Sequence, residues 1–251
     1  SKGNVVSPED MIARFGADSC RLFIMFASPP ERDLDWSDAG IEGSWRFINR
    51  FYRMVSAALP VMGSQTEDEL AAAIASAADE LSADDKDLRR MIHGTVKRVS
   101  SDLHDRFAFN TAISGLMEMT NAIYAYREKG TPGPKGDLVL AEAVHKAVLI
   151  IAPFCPHLAD ELWSRMGHST SIHLASWPTF DEAAARAETI EIVVQINGKV
   201  RERIEVPAGI SGAEMERIAM AMPKVLSLIE GKQVAKVIPV PGKLVNIVVK
   251  G

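Results

Sequence analysis

Cysteine is scarce in this sequence: Cys20 and Cys155 are the only two among 251 residues, and each adjoins an apolar run. That argues against a disulfide framework and against a four-ligand zinc site, and the reading is a reducing, cytoplasmic interior. Long apolar runs are also lacking. Leu22 to Ala27 and Ala147 to Phe154 fall far short of the roughly 18 residues a membrane span requires, so no membrane partner is expected. The histidines His93, His104, His145, His157, His168 and His173 never pair at metal-ligand spacing. There is no Gly-x-Ser-x-Gly, no Cys-x-x-Cys and no phosphate loop of standard form. Asp102, His104 and Asp105 are close in sequence, but neighbouring positions on a helix splay apart. No catalytic residue and no metal ligand is assigned. The chain also begins at Ser1 with neither an initiator Met nor a charged-then-apolar leader, which reads as a piece of a longer protein.

What is present is an ordinary globular composition, 47% hydrophobic and 24% charged, with a net charge of −5. The charge is unevenly spread. Between Thr66 and Asp87 eight acids face Lys86 alone, whereas from Ile190 onward nine basic residues face six acids. An acidic mean, which by itself argues against nucleic acid, therefore hides a basic tail, the distribution that nucleic acid rewards.

The periodicities divide the chain. Ser7-Pro8-Glu9-Asp10 starts a short helix to Phe15, Gly16 closes it, and an apolar helix follows from about Ala17 to Ala27. Ile41, Trp45, Ile48, Tyr52, Val55 and Leu59 repeat at helical spacing as one buried stripe over Asp38–Leu59. Leu88 to Leu103, capped near Ser82, and Ala112 to Tyr126 mark two more long helices, and helices over Asp137–Ala152 and His157–Met166 complete a bundle. Beyond Pro178 the pattern changes. Ile190, Ile192, Val194 and Ile196 alternate at the strand period, Asn197-Gly198 is a hairpin turn signal, and Val200 to Val206 returns. One helix is expected over Ser211–Leu228, then two strands over Lys236–Pro239 and Leu244–Val249 joined at Pro241-Gly242. The fold class is mainly α: a helical bundle followed by a small α/β domain. The expected boundaries are 1–36 for a helical lead-in, 37–178 for the bundle, 179–189 for a linker and 190–251 for the α/β domain.

The basic residues form three patterned groups. Arg46, Arg50 and Arg53 share one face of the first long helix, with Glu42 one turn before them. Lys86, Arg90, His93 and Lys97 share one face of the next long helix. In the tail, Lys199, Arg201 and Arg203 alternate onto the strand face opposite Val200, Ile204 and Val206, and Lys243 follows the second turn. Two readings stand side by side: a track for a phosphate backbone, or solvated faces and charged protection of an edge strand.

A resemblance bears on that choice. Ser1-Lys2-Gly3-Asn4 is similar to the end of the class I synthetase signature Lys-Met-Ser-Lys-Ser and the residues after it. Gly16-Ala17-Asp18, Arg21, Asp35-Trp36 and Gly40-Ile-Glu-Gly43 resemble the segment joining that loop to the helical anticodon-binding domain. Phe109-Asn110-Thr111-Ala112 and Ala152-Pro-Phe-Cys-Pro-His157 resemble that domain in the leucyl, isoleucyl and valyl enzymes. Val194-Gln-Ile-Asn-Gly-Lys-Val-Arg201 and Val240-Pro-Gly-Lys-Leu-Val-Asn246 resemble the C-terminal domain of the bacterial-type leucyl-tRNA synthetases. The resemblance implies that Ser1 closes a nucleotide-binding motif whose other residues precede it. It implies a complete enzyme that uses ATP and Mg to join leucine to tRNA(Leu), and a fragment that lacks the catalytic and editing domains, needs no cofactor and docks the tRNA. It assigns the three basic groups to that docking. DNA is not an expected partner, and a monomer is the default. The reading from another class is a helical protein-interaction module with solvated basic faces; a freestanding enzyme would need a site the sequence does not offer.

Overall fold

The computed structural model describes residues 6–62, 65–130, 133–186 and 189–250, and the chain divides into one unit up to Ala185 and another from Arg186. In the first unit, α1 (Pro8–Phe15) starts at an extended Ser7 with Pro8 in its first turn. It ends at Gly16, whose φ of 83° is one that a side chain would strain. The unit continues through α2 (Ala17–Ala27), α3 (Asp38–Ala58), α4 (Glu67–Ser76), α5 (Ala83–His104), α6 (Phe109–Glu128), α7 (Pro134–Ile151), α8 (Pro156–Arg165) and the short α9 (Glu182–Ala185). Reciprocal capping boxes start α4 (Thr66 with Glu69) and α5 (Ser82 with Asp85), satisfying amide groups that a helix cannot satisfy itself.

Helix α7 lies at the centre. Every residue from Val139 to Ile151 is buried, so the helix is surrounded on all sides, as an amphipathic surface helix is not. That burial takes Glu142, His145 and Lys146 out of water, and two of the three are answered by partners. Glu142 accepts from Arg89 Nε at 2.8 Å and lies 3.1 Å from His93 Nε2. Lys146 donates to Glu67 and, at 2.8 Å, to the carbonyl of Thr179. Burial alone would raise the Glu142 carboxyl, but the hydrogen bonds from His93 and Arg89, with the Arg89 charge beside it, outweigh it and hold it at about 2. His145 is pushed down to about 4, first by burial and then by the neighbouring His168.

Two motifs that are 132 residues or more apart meet at the lead-in. Asp18, on α2, accepts from Leu158 N at 2.7 Å and pairs with His157 Nδ1 at 2.8 Å, so it caps α8 from another helix. Arg21 donates to the carbonyls of Pro153 and Phe154. A Cβ on Gly40 would stand 2.5 Å from the Phe23 ring, which is why α3 can press so closely on α2.

The second unit holds β1 (Thr189–Ile196), β2 (Lys199–Pro207), α10 (Gly212–Ala221), α11 (Pro223–Ile229), β3 (Gln233–Val240) and β4 (Leu244–Lys250). Its sheet has the order β2-β1-β4-β3, antiparallel except for the parallel β1–β4 pair. Ile192, Val194, Ile196, Val245 and Ile247 pack beneath Met215, Ala219 and Val225 of the helices.

The structure corrects four expectations. Trp45 is 45% exposed, because the buried stripe of α3 runs instead through Ile41, Ser44, Phe47, Phe51, Met54, Val55 and Ala58. The acidic stretch contains α4, which its charge obscured. The single helix expected over Ser211–Leu228 is two, because Pro223 cannot donate an amide in mid-helix. The expected linker is packed over its first half: Thr179 donates to Glu67 through both its amide and its hydroxyl, Phe180 joins the core, and Asp181 N donates to His93 Nδ1 at 3.0 Å.

Both depressed groups give the same sign of pH dependence. Between about pH 6.5 and 4 the unfolded chain binds a proton on His145 that the folded chain does not, and between about pH 4.5 and 2 the same holds for Glu142. Stability of the helical unit is expected to be full above that range and to fall as pH falls through both windows, measured by urea unfolding at several pH values. Glu142→Gln is expected to cost on the order of 3 kcal/mol at pH 7 and to flatten the acid limb below pH 4.5. The two cores are expected to respond separately. Ile92→Ala and Ile247→Ala should each cost roughly 2–5 kcal/mol, and amide exchange should accelerate only in the unit that carries the substitution.

Candidate nucleic-acid interface

The basic groups differ in how far the protein already satisfies them. On α3, Arg46 stands 3.8 Å from Glu42 with both side chains mostly exposed. Arg50 donates to Asn121 Oδ1 at 2.5 Å and lies over the Tyr124 ring at 4.6 Å, so it holds α3 to α6. Arg53 is exposed and has no ion pair among the described residues. On α5, Lys86 is exposed and likewise unpaired, Arg90 bonds Asp87 at 2.6 Å, and Lys97 bonds both oxygens of Glu182 at 2.8 and 2.9 Å.

His93 does not belong to that surface. It is 2% exposed and sits under the 179–185 segment, where its Nδ1 accepts the Asp181 amide proton. Its own proton is therefore on Nε2, directed at Glu142. Helical spacing places His93 correctly on the face of Lys86, Arg90 and Lys97, but spacing does not reveal that a later part of the chain covers the middle of that face. Arg89 points the same way, with 3.8 Å to Asp181.

In the second unit the turn of the first hairpin is braced. Asn197 and Gly198 have φ of 51° and 76°, the left-handed pair that a two-residue hairpin needs. Asn197 exchanges side-chain hydrogen bonds with the backbone of Val249 at 3.1 and 2.9 Å, and Gly198 N donates to Asn246 Oδ1 at 3.0 Å. Asn246 was not singled out as functional from the sequence; an amide side chain amid an otherwise apolar strand is the signal that marks it. Lys199 thus leaves a fixed backbone.

A bulge changes the strand face expected for the tail. Val194 pairs with Glu202 and Gln195 with Val200, so Arg201 is the extra residue of edge strand β2. Beyond it the alternation flips: Lys199 lies opposite Ile196, while Val200 joins Arg203 on the face away from the core and is 53% exposed. Arg203 bonds Glu191 at 2.7 Å. Lys243 lies elsewhere on the sheet. Because β1 and β4 run parallel, the 197–198 turn is level with Ile247, whereas Lys243 precedes β4 and its carbonyl accepts from Val193 N at 3.1 Å. Lys199 and Lys243 mark opposite ends of the sheet, with Arg201 between them. All three are exposed and have no ion pair or side-chain hydrogen bond among the described residues. Ser1 lies outside the described residues.

The family model for the anticodon-binding domain of tRNA ligase matches residues 85–216. The leucine–tRNA ligase of Symbiobacterium thermophilum is 68% identical over 270 residues, which take in 100% of this chain and 31% of that protein. That of Geotalea daltonii is 47% identical over 99% of this chain and 29% of its own length. Among solved structures, the ternary complex of Agrobacterium radiobacter K84 agnB2 LeuRS-tRNA-LeuAMS matches with a TM-score of 0.81 and 27% identity, over 100% of this chain and 31% of that one. The chain spans about a third of the length of these relatives. With more than half of its residues inside the matching model, the chain belongs to the family of anticodon-binding domains of tRNA ligases.

Proposed function

We propose that this chain is the tRNA-docking portion of a leucyl-tRNA synthetase, and that the second unit supplies the more productive phosphate contacts. The observation that carries the reading is the difference in pairing: carboxylates already match Arg90 and Lys97, which leaves Lys86 and Arg53 as isolated unpaired cations on separate helices, whereas Lys199, Arg201 and Lys243 are all exposed and unmatched. A phosphate at Lys97 must displace Glu182, but a phosphate at Arg201 displaces only water. The braced turn helps, because side chains on fixed backbone lose less entropy on contact than those on a loose loop.

In this reading leucine activation belongs to the parts of such a synthetase that this chain does not match. Docking sets the register of the tRNA, and the chemistry needs leucine, ATP and the tRNA end held together elsewhere. ATP and Mg are substrates and ions of that larger enzyme. Among the described residues no group of three His, Cys, Asp or Glu side chains converges as an ion-ligand set. A monomer that ignores DNA completes the proposal.

The 251-residue chain alone is expected to give no leucine-dependent pyrophosphate exchange above a no-enzyme control; measurable exchange would overturn that assignment. For docking, tRNA titrations at several salt concentrations separate the groups. Arg201→Ala and Lys199→Ala should each flatten the logarithmic salt slope by about one, Lys97→Ala by clearly less, and His93→Ala not at all although it destabilises the helical unit. Arg201→Lys should still lose on the order of 1 kcal/mol of tRNA binding, since lysine lacks the planar fork, whereas edge protection survives the exchange of one cation for another.

A further inference from the structure

The turn between α5 and α6 carries the most exposed Phe, Tyr or Trp among the described residues: Phe107, 61% exposed. Its backbone lies in the left-handed region, with φ of 50°. Among the described residues one other residue besides glycine shares that sign, Asn197, whose short amide side chain tolerates it; a bulky aromatic residue is strained there. The turn holds the strain in place. Asp105 N donates to the Ser101 carbonyl and Ala108 N to the Asp102 carbonyl, each at 2.9 Å, and Phe109 N donates to the carbonyl of Phe107 itself at 3.1 Å.

Burial of the side chain would offset such a strain, and here most of the ring stays in water. Its aromatic neighbour is Phe109, edge-on with the ring centroids 6.4 Å apart. Glycine would fit the turn without strain, so packing gives no reason for a ring at this position, whereas a contact outside the fold does. The surroundings narrow the kind of contact. His104, Asp105 and Arg106 are exposed beside it, so the ring stands in a polar setting and not in an apolar patch of the kind a protein partner covers. Asp105 is taken by the Ser101 hydroxyl, which donates to it at 2.8 Å. Arg106 is 68% exposed, and its one ion pair among the described residues is a loose 3.5 Å approach to Asp102. A solvated ring next to an available guanidinium suits a nucleobase, which stacks on the ring while the cation meets the adjoining phosphate. Bases inside a stem are already stacked on both sides, so the base concerned is an unpaired one.

We propose that Phe107 is a stacking platform for an unpaired base of the tRNA, with Arg106 as the phosphate contact beside it. This rests on the tRNA-docking reading above and adds a contact of another kind to it: the cations of the second unit bind charge, whereas Phe107 distinguishes a splayed base from a paired one.

Titrations of the 251-residue chain with tRNA(Leu) and with a fully paired RNA duplex, at several salt concentrations, test this. Phe107→Ala and Phe107→Leu are each expected to weaken tRNA binding about fivefold while keeping the parent's salt slope, and Phe107→Trp to bind at least as tightly as the parent. All three should bind the duplex as the parent does. Arg106→Ala should instead flatten the tRNA salt slope by about one. Phe107→Gly separates recognition from folding: it relieves the strained φ, so the unfolding midpoint should hold or rise while tRNA binding weakens as it does for Phe107→Ala. The proposal is overturned if Phe107→Ala and Phe107→Leu bind tRNA as the parent does while Arg201→Ala weakens it. It is also overturned if Phe107→Leu alone keeps the parent's affinity, which marks an apolar contact without stacking, or if Phe107→Gly loses binding only together with its fold. A parent chain that binds no tRNA at all would remove the docking reading and this inference with it.

Discussion

A carboxylate with no route to water organises the helical unit. Glu142 sits in a helix buried along more than three turns, and a lone charge there would be prohibitively unstable. The fold answers it with Arg89 and His93 from α5, and the His93 ring then has one nitrogen left, which takes the amide of Asp181. One buried charge therefore fixes the register of α5 against α7 and draws a later segment down onto both. Lys146, one turn further along α7, repeats the arrangement through Glu67 and Thr179. The stretch that reads as a linker is in fact the cover over a pair of buried ion networks.

That cover changes how the surface charge is to be weighed. Basic residues on a helix face are a reservoir for RNA only where carboxylates do not already claim them. Glu182, brought in by the covering segment, claims Lys97, and Asp87 claims Arg90. In the second unit the acids are placed differently. Glu191 takes Arg203 and Glu202 takes Lys224, while Arg201 stands in a bulge where no partner strand residue faces it. A bulge re-aims a side chain at the cost of one unpaired position, a fitting device for presenting a guanidinium at an edge.

The sequence made most of this legible where the signal is local. Caps, turn residues and hydrophobic periods located the long helices and all four strands, because Ser82, Gly16 and Asn197-Gly198 act on their immediate neighbours. The failures share a different cause. The burial of His93, the exposure of Trp45 and the packing of Thr179 to Asp181 are set by segments far away in the chain, and periodicity reports only which residues share a face, not what later covers it. Proline 223 is the exception, a local signal that the run of apolar residues around it masked. The bulge at Arg201 was hidden for a related reason: alternation in one strand says nothing of a slip in its pairing with another. The resemblance took Gly16-Ala17-Asp18 and the Pro-Phe-Cys-Pro-His motif as separate matches, and the structure supplies the physical link between them, a carboxylate capping the helix that the motif begins.

The central claim is that tRNA affinity resides in unmatched cations of the second unit rather than in the longer helical stripes. Lysine acetylation of the chain with and without saturating tRNA, mapped by mass spectrometry, addresses it most directly, because Lys86, Lys97, Lys199 and Lys243 are all exposed and are reported in one experiment. The account predicts strong protection of Lys199 and Lys243 with the carboxylate-paired Lys97 left reactive; protection of Lys97 with Lys199 and Lys243 unchanged would contradict it.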